Sequence, residues 1–419
     1  MLKAVVKRLV LCSALLGLAA CGDALLPGAP DDSLLLDGPV EGIAGTQLAL
    51  HARGDGEFGR RFTPADGLGP LFVATSCDGC HVGEGKGHPV FDLSRFGRMV
   101  NGVFDPMESD GGPQLQNRAI AGYLAERVPG GVTAVARFTA PIVTGLGFLE
   151  AVDDTSIFAL ADPTDANGDG ISGRVALVDS TDFIADIIGV SSVVGGPSPV
   201  RSHNGKYIGR FGKKARVINL FQQTIFAYSE DMGVTSDQVP RDLYNRQLGA
   251  QASDNVADPE VSSGVVSAVV FYLRTLRPPP RRGATDANTV EGGRLFVQSG
   301  CAGCHKVSMT TGASDIAQLN RVQFFPFTDL LLHDMGPELN DGYTEGDAAP
   351  AEWRTAPLWG LGLAERAQGG SAHYLHDGRA KTLRDAIRFH GGESTRSRNA
   401  FDAMPAGQQE LLLTYLRSL

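Results

Sequence analysis

Apolar side chains recur at helical spacing in two separate segments of the chain. In residues 408–419, Leu411, Leu412, Tyr415, Leu416 and Leu419 fall on one face of a helix. Residues 261–276 are also amphipathic and end Tyr-Leu-Arg-Thr-Leu before three prolines, while the chain itself ends Tyr-Leu-Arg-Ser-Leu. We interpret each segment as the last helix of a domain.

Another helix is predicted before the last domain. Asp286 lies where it would cap a helix that runs through Gly293 and Phe296 to Gly300. Residues 277–289, rich in proline and arginine, predict a linker. The pattern therefore predicts a mainly α chain with two domains, at 61–276 and 290–419, the second with a first and a last helix that cross.

The first of these domains is the larger one. From His81 to Leu276 there are 195 residues, whereas from His305 to Leu419 there are 114. The pattern indicates an insertion of loops and short strands at about 130–203, a stretch rich in glycine and β-branched residues.

The beginning of the chain resembles an export signal. Residues 1–20 carry three basic residues and then an apolar run that is too short to span a membrane. The run ends Leu-Ala-Ala before Cys21, like the lipobox of a bacterial lipoprotein, and Gly22 resembles the pattern sorted to the outer membrane. An ordinary signal peptide with an incidental cysteine is the alternative. We expect a periplasmic protein, lipid-anchored to the outer membrane and touching a membrane only there.

Residues 21–60 predict a tether between that anchor and the body of the protein. They are rich in Gly, Pro, Asp and Leu without a sustained period, and His51 within them is expected at the surface. The net charge of −10 becomes −13 when the leader is removed, because its charged residues are all basic. We do not expect so acidic a chain to bind nucleic acid, because the phosphate backbone is also negatively charged.

Cysteine usage indicates the chemistry. The six cysteines are Cys12, Cys21, Cys77, Cys80, Cys301 and Cys304. The last four form two Cys-x-x-Cys-His motifs, completed by His81 and His305. A disulfide framework, a zinc site or a thioredoxin-like redox pair leaves the two histidines unexplained. Covalent haem explains them, since two sulfurs attach one porphyrin edge and the adjacent imidazole becomes the proximal iron ligand. With a first and a last helix that cross, this is the plan of a small cytochrome c domain, and the fold prediction is a mainly α chain with two cytochrome c-like haem domains, at 61–276 and 290–419.

A polar loop in the predicted insertion is similar to the first half of a calcium loop. Its candidate ligands are Asp162, Asp165, Asn167 and Asp169. The twelfth loop position is Ala176, where an EF-hand would have Glu. A polar turn without an ion is the alternative. We favour calcium, because four such side chains would otherwise crowd negative charge into one turn.

Ordered sequence blocks over most of the body resemble one family, the di-haem oxidoreductases described as peroxidases or thiol oxidoreductase-like proteins. They are distant relatives of bacterial di-haem cytochrome c peroxidases. The blocks are residues 66–72, 145–150, 162–173, 209–212, 332–336, 353–360, 375–380 and 390–393. The resemblance implies two haems and an oxidoreductase.

The resemblance also implies a ligand for the C-terminal haem. In the related peroxidases, a block like 354–358 is followed by His-Asp-Gly and then by a helix that ends in the sixth iron ligand. His390 stands at the matching place, which implies a haem with histidine on both faces, suited to storing and passing an electron. Met335 is the alternative ligand.

The N-terminal haem would then be the reactive one. Glu150 and Gln114 resemble the carboxylate and the amide that act on peroxide in the related enzymes. His88 or Met107 could instead close this iron, which would make the protein a pure electron carrier.

One position departs from the family pattern. Members usually continue Gly-Arg-Phe-Gly with Trp, and here the next residue is Lys213. If that Trp serves electron transfer between the haems, Phe211 or Trp359 would have to replace it.

Three functions therefore remain open at this stage. The first is a peroxidase-like enzyme, with a small redox protein or a quinol-linked donor as partner and an oxidant such as hydrogen peroxide as substrate. The second is a periplasmic electron carrier without catalytic activity. The third is an oxidase or oxygenase of a thiol or organic substrate.

Overall fold

The computed structural model describes residues 36–194, 201–249 and 253–419. The predicted export signal, Cys21 and the first part of the predicted tether lie outside these residues, as do residues 195–200 of the predicted insertion. In the described part of the chain, no helix is long and apolar enough to cross a membrane.

Helices supply most of the regular structure. They are α1 Gly45–Phe58, α2 Cys77–Cys80, α3 Leu146–Glu150, α4 Asp154–Phe158, α5 Asp182–Val194, α6 Leu220–Phe226, α7 Ser263–Thr275, α8 Ala287–Gln298, α9 Ala364–Ala367, α10 Leu383–Arg388, α11 Thr395–Asp402 and α12 Ala406–Ser418. The predicted helices at 261–276, after Asp286 and at 408–419 are thus α7, α8 and α12. Asp286 precedes α8, but its side chain accepts no capping hydrogen bond.

The strands are short and pair only antiparallel in the described residues. They are β1 Leu71–Phe72, β2 Leu93–Val100, β3 Val103–Asp105, β4 Arg118–Ala119, β5 Ala134–Phe138, β6 Leu177–Asp179, β7 Lys206–Ile208, β8 Met309–Thr310, β9 Gln323–Phe324, β10 Leu332–Asp334 and β11 Glu352–Arg354. Only β3-β2-β5 forms a three-stranded sheet, and the other pairs are β1-β4, β6-β7, β8-β9 and β10-β11.

Helices α1 and α7 cross at a glycine. A Cβ atom on Gly54 would lie 2.1 Å from the carbonyl oxygen of Ala268 and 2.6 Å from the Cβ of Tyr272. Only glycine allows the two backbones to approach this closely. Phe58, one turn further along α1, packs on Tyr272 with ring centroids 5.5 Å apart.

Helices α8 and α12 repeat that crossing in the second half of the chain. A Cβ atom on Gly292 would lie 2.1 Å from the carbonyl oxygen of Leu411 and 2.8 Å from the Cβ of Tyr415. Phe296 packs on Tyr415 with ring centroids 5.4 Å apart. The short sequence echo between residues 272–276 and 415–419 therefore marks equivalent places in two similar helix pairs.

The prediction of a tether over residues 21–60 is wrong in its second half, because residues 45–58 form α1. His51 is 6 % exposed, not at the surface, and its Nδ1 lies 2.8 Å from the Thr275 hydroxyl. Sequence patterning conceals this helix because its packing contact is made by Gly54, which adds no hydrophobic signal.

The stretch 130–203, predicted as loops and short strands, also contains α3, α4 and α5. Helix α5 forms despite its β-branched residues because Ile184 and Ile187 are buried in the core. Tertiary packing of an apolar face outweighs local propensity here.

The largest hydrophobic core draws residues from both halves of the sequence. Val143 and Leu276 share it with Met309, Phe324 and Trp359. A second core, which includes Leu295, Phe296, Phe401 and Leu412, lies around α8 and α12. Residues 36–419 cluster as one compact unit.

Candidate haem sites

The first Cys-x-x-Cys-His motif begins on a single turn of helix, α2. The Ser76 hydroxyl accepts a hydrogen bond from the Gly79 amide and caps this turn. Burial raises the pKa of both Cys77 and Cys80 to about 12, so each side chain is a protonated thiol at neutral pH. All four described cysteines are free, which leaves both sulfurs of each motif open to another bond.

His81 is fixed by a backbone carbonyl. Its Nδ1–H donates to the Pro141 oxygen at 2.7 Å, and burial lowers the pKa of the imidazole to about 4. A carbonyl can only accept, so the proton lies on Nδ1 and the lone pair on Nε2. Phe58 of α1 lies beside the ring, with centroids 6.1 Å apart. A neutral imidazole with a free Nε2 is the form that binds iron.

His305 is held in the same way. Its Nδ1–H donates to the Phe327 oxygen at 2.8 Å, and burial lowers the pKa of this imidazole to about 4 as well. Phe296 of α8 lies beside it with ring centroids 6.5 Å apart. In each motif, the histidine therefore has its own backbone carbonyl partner, its own neighbouring Phe and a free Nε2.

His390 stands opposite His305 at a distance that suits a shared metal ion. The two ring centroids are 6.5 Å apart, and the Nδ1–H of His390 donates to the Ala386 oxygen at 2.8 Å. Two imidazoles on one metal ion, each nitrogen roughly 2 Å from it, bring their ring centres to a little over about 6 Å. The geometry favours His390 over Met335, whose sulfur lies 4.0 Å from the Ser394 hydroxyl.

No such partner faces His81. Among the described residues, which contain all nine histidines, the ring contact of His81 is with Phe58 and not with another histidine. His88 instead packs against His373 at 4.7 Å and accepts a hydrogen bond from the Val90 amide. Met107 is buried at a left-handed turn. The two haem motifs thus differ on the face opposite the proximal histidine.

Two partly buried cations lie in the region between the motifs. The Lys213 oxygen accepts a hydrogen bond from the Arg354 amide, and the Arg354 guanidinium donates to the Gly212 oxygen. Burial lowers the pKa of Lys213 to about 8 and that of Arg354 to about 10. Neither has an ion-pair partner in the described part of the chain. The acidic propionate groups of haem fit such cations, as the free thiols and Nε2 atoms fit its vinyl groups and iron.

An aromatic stack lies near these cations. Trp353 stacks on His376 with ring centroids 3.7 Å apart, and the Lys214 ammonium lies 3.9 Å from the Trp353 ring centroid. Trp359 is instead part of the largest core, where Gly145 gives it room, and Phe211 is buried in that core as well. Trp353, which the sequence alone did not single out, therefore joins the two predicted aromatic residues as a candidate for electron transfer.

Glu150 occupies a structural position. It is 3 % exposed, its Oε1 accepts the Leu220 amide at 2.7 Å, and its Oε2 pairs with the Arg274 guanidinium. Both carboxylate oxygens are engaged by protein groups, which indicates a structural role. The predicted catalytic role is not tested by these contacts and stays a prediction.

Gln114 is also fully engaged. Its amide nitrogen donates to the Glu230 oxygen at 2.9 Å and to Asp231 at 2.7 Å, while its oxygen accepts from Arg95 at 2.9 Å. These hydrogen bonds give Gln114 a structural role, and its predicted role in orienting a ligand stays a prediction. The family resemblance assigned a residue type to this position but could not indicate these partners.

The predicted calcium loop has its oxygens turned to its own backbone. Asp162 accepts from the Ala166 amide at 2.8 Å, Asn167 from Asp169 at 2.8 Å, and Asp165 from Gly170 at 3.1 Å. Among the described residues, the acidic groups close enough to share one ion do not include these side chains. Calcium binding by this loop stays a prediction.

His333 is the centre of a charged network that sequence reasoning missed. Its Nε2 lies 2.9 Å from Asp329 and its Nδ1 2.7 Å from Glu393, and although burial opposes the charge, these hydrogen bonds raise its pKa to about 12. Glu393 also accepts from the Ser172 amide at 2.9 Å. The Cys304 sulfur lies 3.6 Å from His333. The network ties the predicted insertion to the second motif.

Comparison with known proteins gives one family match. The model of the family described as "Di-haem oxidoreductase, putative peroxidase" matches residues 121–419, and no curated protein matches the chain. Two solved structures are distantly similar. Kuenenia stuttgartiensis hydrazine synthase is 13 % identical with a TM-score of 0.36, covering 94 % of this chain and 98 % of that one. A MauG-like protein associated with microbial copper homeostasis is 15 % identical with a TM-score of 0.30, covering 65 % and 87 %. The family match spans most of the chain, including the second motif and His390, so this protein belongs to the di-haem oxidoreductase family.

Proposed function

We propose that the protein is a c-type di-haem oxidoreductase with peroxidase-like activity. One haem would be attached at Cys77 and Cys80 with His81 as its proximal ligand, and the other at Cys301 and Cys304 with His305. The family assignment supports two haems, and the free thiols and the carbonyl-held histidines support covalent attachment.

The observation that carries the proposal is the unequal pair of iron-facing sites. His390 stands opposite His305, whereas no histidine stands opposite His81 at a comparable distance. A bound haem iron supplies one-electron exchange and, where a coordination position is open, a place for a small molecule. The C-terminal site, closed by two histidines, would pass electrons, and the N-terminal site would meet the substrate.

The surrounding residues of this chain have defined roles in the proposal. His305 and His390, with their Nδ1–H groups tied to carbonyls, hold two nitrogens in fixed directions. Lys213 and Arg354 would hold the acidic edges of the cofactors and their positive charge would favour electron acceptance. Trp353 would offer an aromatic path in place of the family's Trp.

A proton-transfer group is also needed, and Asp92 is a better candidate than Glu150. The Oδ1 of Asp92 is buried, the Thr139 hydroxyl is the side-chain donor beside this carboxyl group, and burial raises the pKa of Asp92 to about 6. Lys213 acts electrostatically on both Asp92 and His81. A carboxyl group with a pKa near neutrality can both donate and accept a proton during turnover.

The proposed overall reaction consumes one hydrogen peroxide, two electrons and two protons and produces two water molecules. The oxygen–oxygen bond breaks and two O–H bonds form. The electrons would come from a small reduced redox protein or a quinol-linked donor. We further propose a periplasmic location with a lipid anchor at Cys21, to which the outer-membrane pattern at Gly22 points.

The test is a spectrum followed by an assay. The purified holoprotein is brought to the oxidised, half-reduced and fully reduced states, and hydrogen peroxide is then added with a reduced small cytochrome. We expect one low-spin and one high-spin haem in at least one state, and two donor molecules oxidised per peroxide. Two low-spin haems in every state without donor oxidation would instead identify an electron carrier.

A further inference from the structure

Three acidic residues far from both haem motifs in the sequence come together around one point. They are Asp242, Asp254 and Glu260, and each offers a ligand atom within 4.8 Å of the ligand atoms of the other two. In the sequence, all three lie between the π-helical turn Ala227–Asp231 and α7. Nothing in the proposed redox function uses them.

Each of these carboxylates is oriented by a backbone amide through one oxygen only. The Asp254 amide donates to Asp242 Oδ2 at 3.2 Å, the Val256 amide to Asp254 Oδ1 at 2.7 Å, and the Thr235 amide to Glu260 Oε2 at 2.6 Å. The carboxylates therefore have fixed directions, and these amides leave one oxygen of each carboxylate unengaged.

Those remaining oxygens are buried. Asp254 Oδ2 accepts no hydrogen bond from the described residues, while Asp242 Oδ1 and Glu260 Oε1 lack a donor of normal geometry, and the nearest side-chain groups are the Ser253 hydroxyl beside Asp242 and the Asp258 carboxyl beside Glu260. Asp254 is only 6 % exposed, so water has little access to its side chain. A buried carboxylate oxygen without a well-placed donor is costly, and three of them in one place need a common compensating group.

The neighbouring charges increase this cost. Asp258 acts on all three carboxylates as a like charge, and its Oδ1 is 2.7 Å from the Thr235 hydroxyl. A bound cation would offset this like-charge repulsion.

We propose that Asp242, Asp254 and Glu260, with Asp258 beside them, bind one hard divalent cation, calcium in preference to magnesium. The donors are all oxygens, and the group contains no sulfur or imidazole that zinc or copper would select. Calcium accepts six to eight oxygens in irregular geometry, whereas magnesium requires a near-ideal octahedron. A groove of about 640 Å³, lined in part by Asp242 and Asp258, gives the ion and its waters a way in.

The cation would fix the segment that carries it to the approach to the first haem motif. A Cβ atom on Gly67 would lie 2.1 Å from Glu260 Cγ, so the Glu260 side chain rests directly on the loop before β1. Glu260 also receives the Thr235 amide, which follows the π-helical turn. The site is separate from the loop with Asp165 and Asp169, and its failure would leave the redox proposal unaffected.

Calcium binding by the holoprotein tests the proposal. The full chain with both haems is freed of divalent ions with EDTA and titrated with calcium chloride by calorimetry. We expect Asp254→Asn and Glu260→Gln each to bind one calcium fewer per chain than the wild type. Asp169→Asn, the matched control in the other acidic loop, keeps this binding event. An unchanged calcium count in Asp254→Asn, or a wild type that binds no calcium, overturns the proposal.

Thermal unfolding gives a second readout that distinguishes a lost ligand from a damaged fold. Without calcium, Asp254→Asn should melt at or above the wild-type temperature because it removes like-charge repulsion. With calcium, only the wild type should gain stability, so the order reverses. A wild-type melting temperature that does not change on calcium addition contradicts the proposal. Equal affinity for calcium and magnesium contradicts the proposed preference for calcium.

Discussion

The two haem motifs are held alike on one face and differ on the other. On the proximal side, His81 and His305 each donate to a backbone carbonyl and lie beside a Phe from a helix that crosses another helix at a glycine. On the opposite side, His305 faces His390, whereas His81 faces no histidine at that distance. The similar proximal sides suit both motifs to haem attachment. The different opposite sides allow the two sites to have different functions.

The largest expected effect comes from removing one attachment at a time. Cys301→Ser with Cys304→Ser, and separately Cys77→Ser with Cys80→Ser, should each lower the haem content from two per chain to one, because a thioether needs the sulfur. The pyridine haemochrome spectrum per protein measures this content. A double variant that keeps both haems would show that its two cysteines do not attach a haem.

His390→Ala should change only the C-terminal site. With the imidazole gone, that haem becomes high-spin, while both haems stay covalently attached because the cysteines are untouched. The visible and electron paramagnetic resonance spectra report the spin state. His88→Ala is the matched control and should leave the spectra as they are. An unchanged low-spin spectrum in His390→Ala would move the ligand assignment to Met335.

Glu150→Ala should act on stability rather than on chemistry. Arg274 and Arg417 occupy equivalent places in α7 and α12, but the Glu150–Arg274 pair is buried and the Glu410–Arg417 pair is exposed. Removing a buried counter-charge costs about 3–5 kcal/mol of unfolding free energy, and removing an exposed one roughly 0–1 kcal/mol. Denaturant unfolding of Glu150→Ala and Glu410→Ala measures the difference.

The assay distinguishes the two roles of Glu150. If the carboxylate is structural, folded Glu150→Ala keeps its peroxide turnover per haem. A loss of turnover without a loss of stability would support the catalytic assignment.

The smallest expected effect is electrostatic. Lys213→Gln removes a positive charge near His81 and should lower the reduction potential of the N-terminal haem by on the order of tens of millivolts, since a nearby cation stabilises the reduced state. Lys213→Arg should retain the wild-type potential. Potentiometric titration with spectral detection separates the two haems. A shift confined to the C-terminal haem would contradict the placement of Lys213.

The sequence predicted the parts of the fold that have a strong local signal. The Cys-x-x-Cys-His motifs and the amphipathic pattern of 261–276 and 408–419 are local, and α7 and α12 lie at these places. His390 was located by a block of residues and stands opposite His305. Helix α1 was missed because its defining contact is a glycine against a carbonyl, which leaves no apolar pattern.

Side-chain partners far apart in the sequence could not be predicted. Glu150 meets Arg274, 124 positions away, and only the folded chain brings them together. The acidic residues 242, 254 and 260 are scattered among ordinary polar loops, and no spacing rule marks them. Resemblance to a family transfers residue types to positions, but it does not transfer the contacts that decide what each residue does.

The cations between the motifs have a consequence for biogenesis. Burial lowers the pKa of both Lys213 and Arg354, and the loss of solvation of a charged group opposes closure of the chain around it. Haem attachment would therefore precede closure during maturation. A chain without its cofactors would then stay open and be more exposed to proteolysis than the loaded protein.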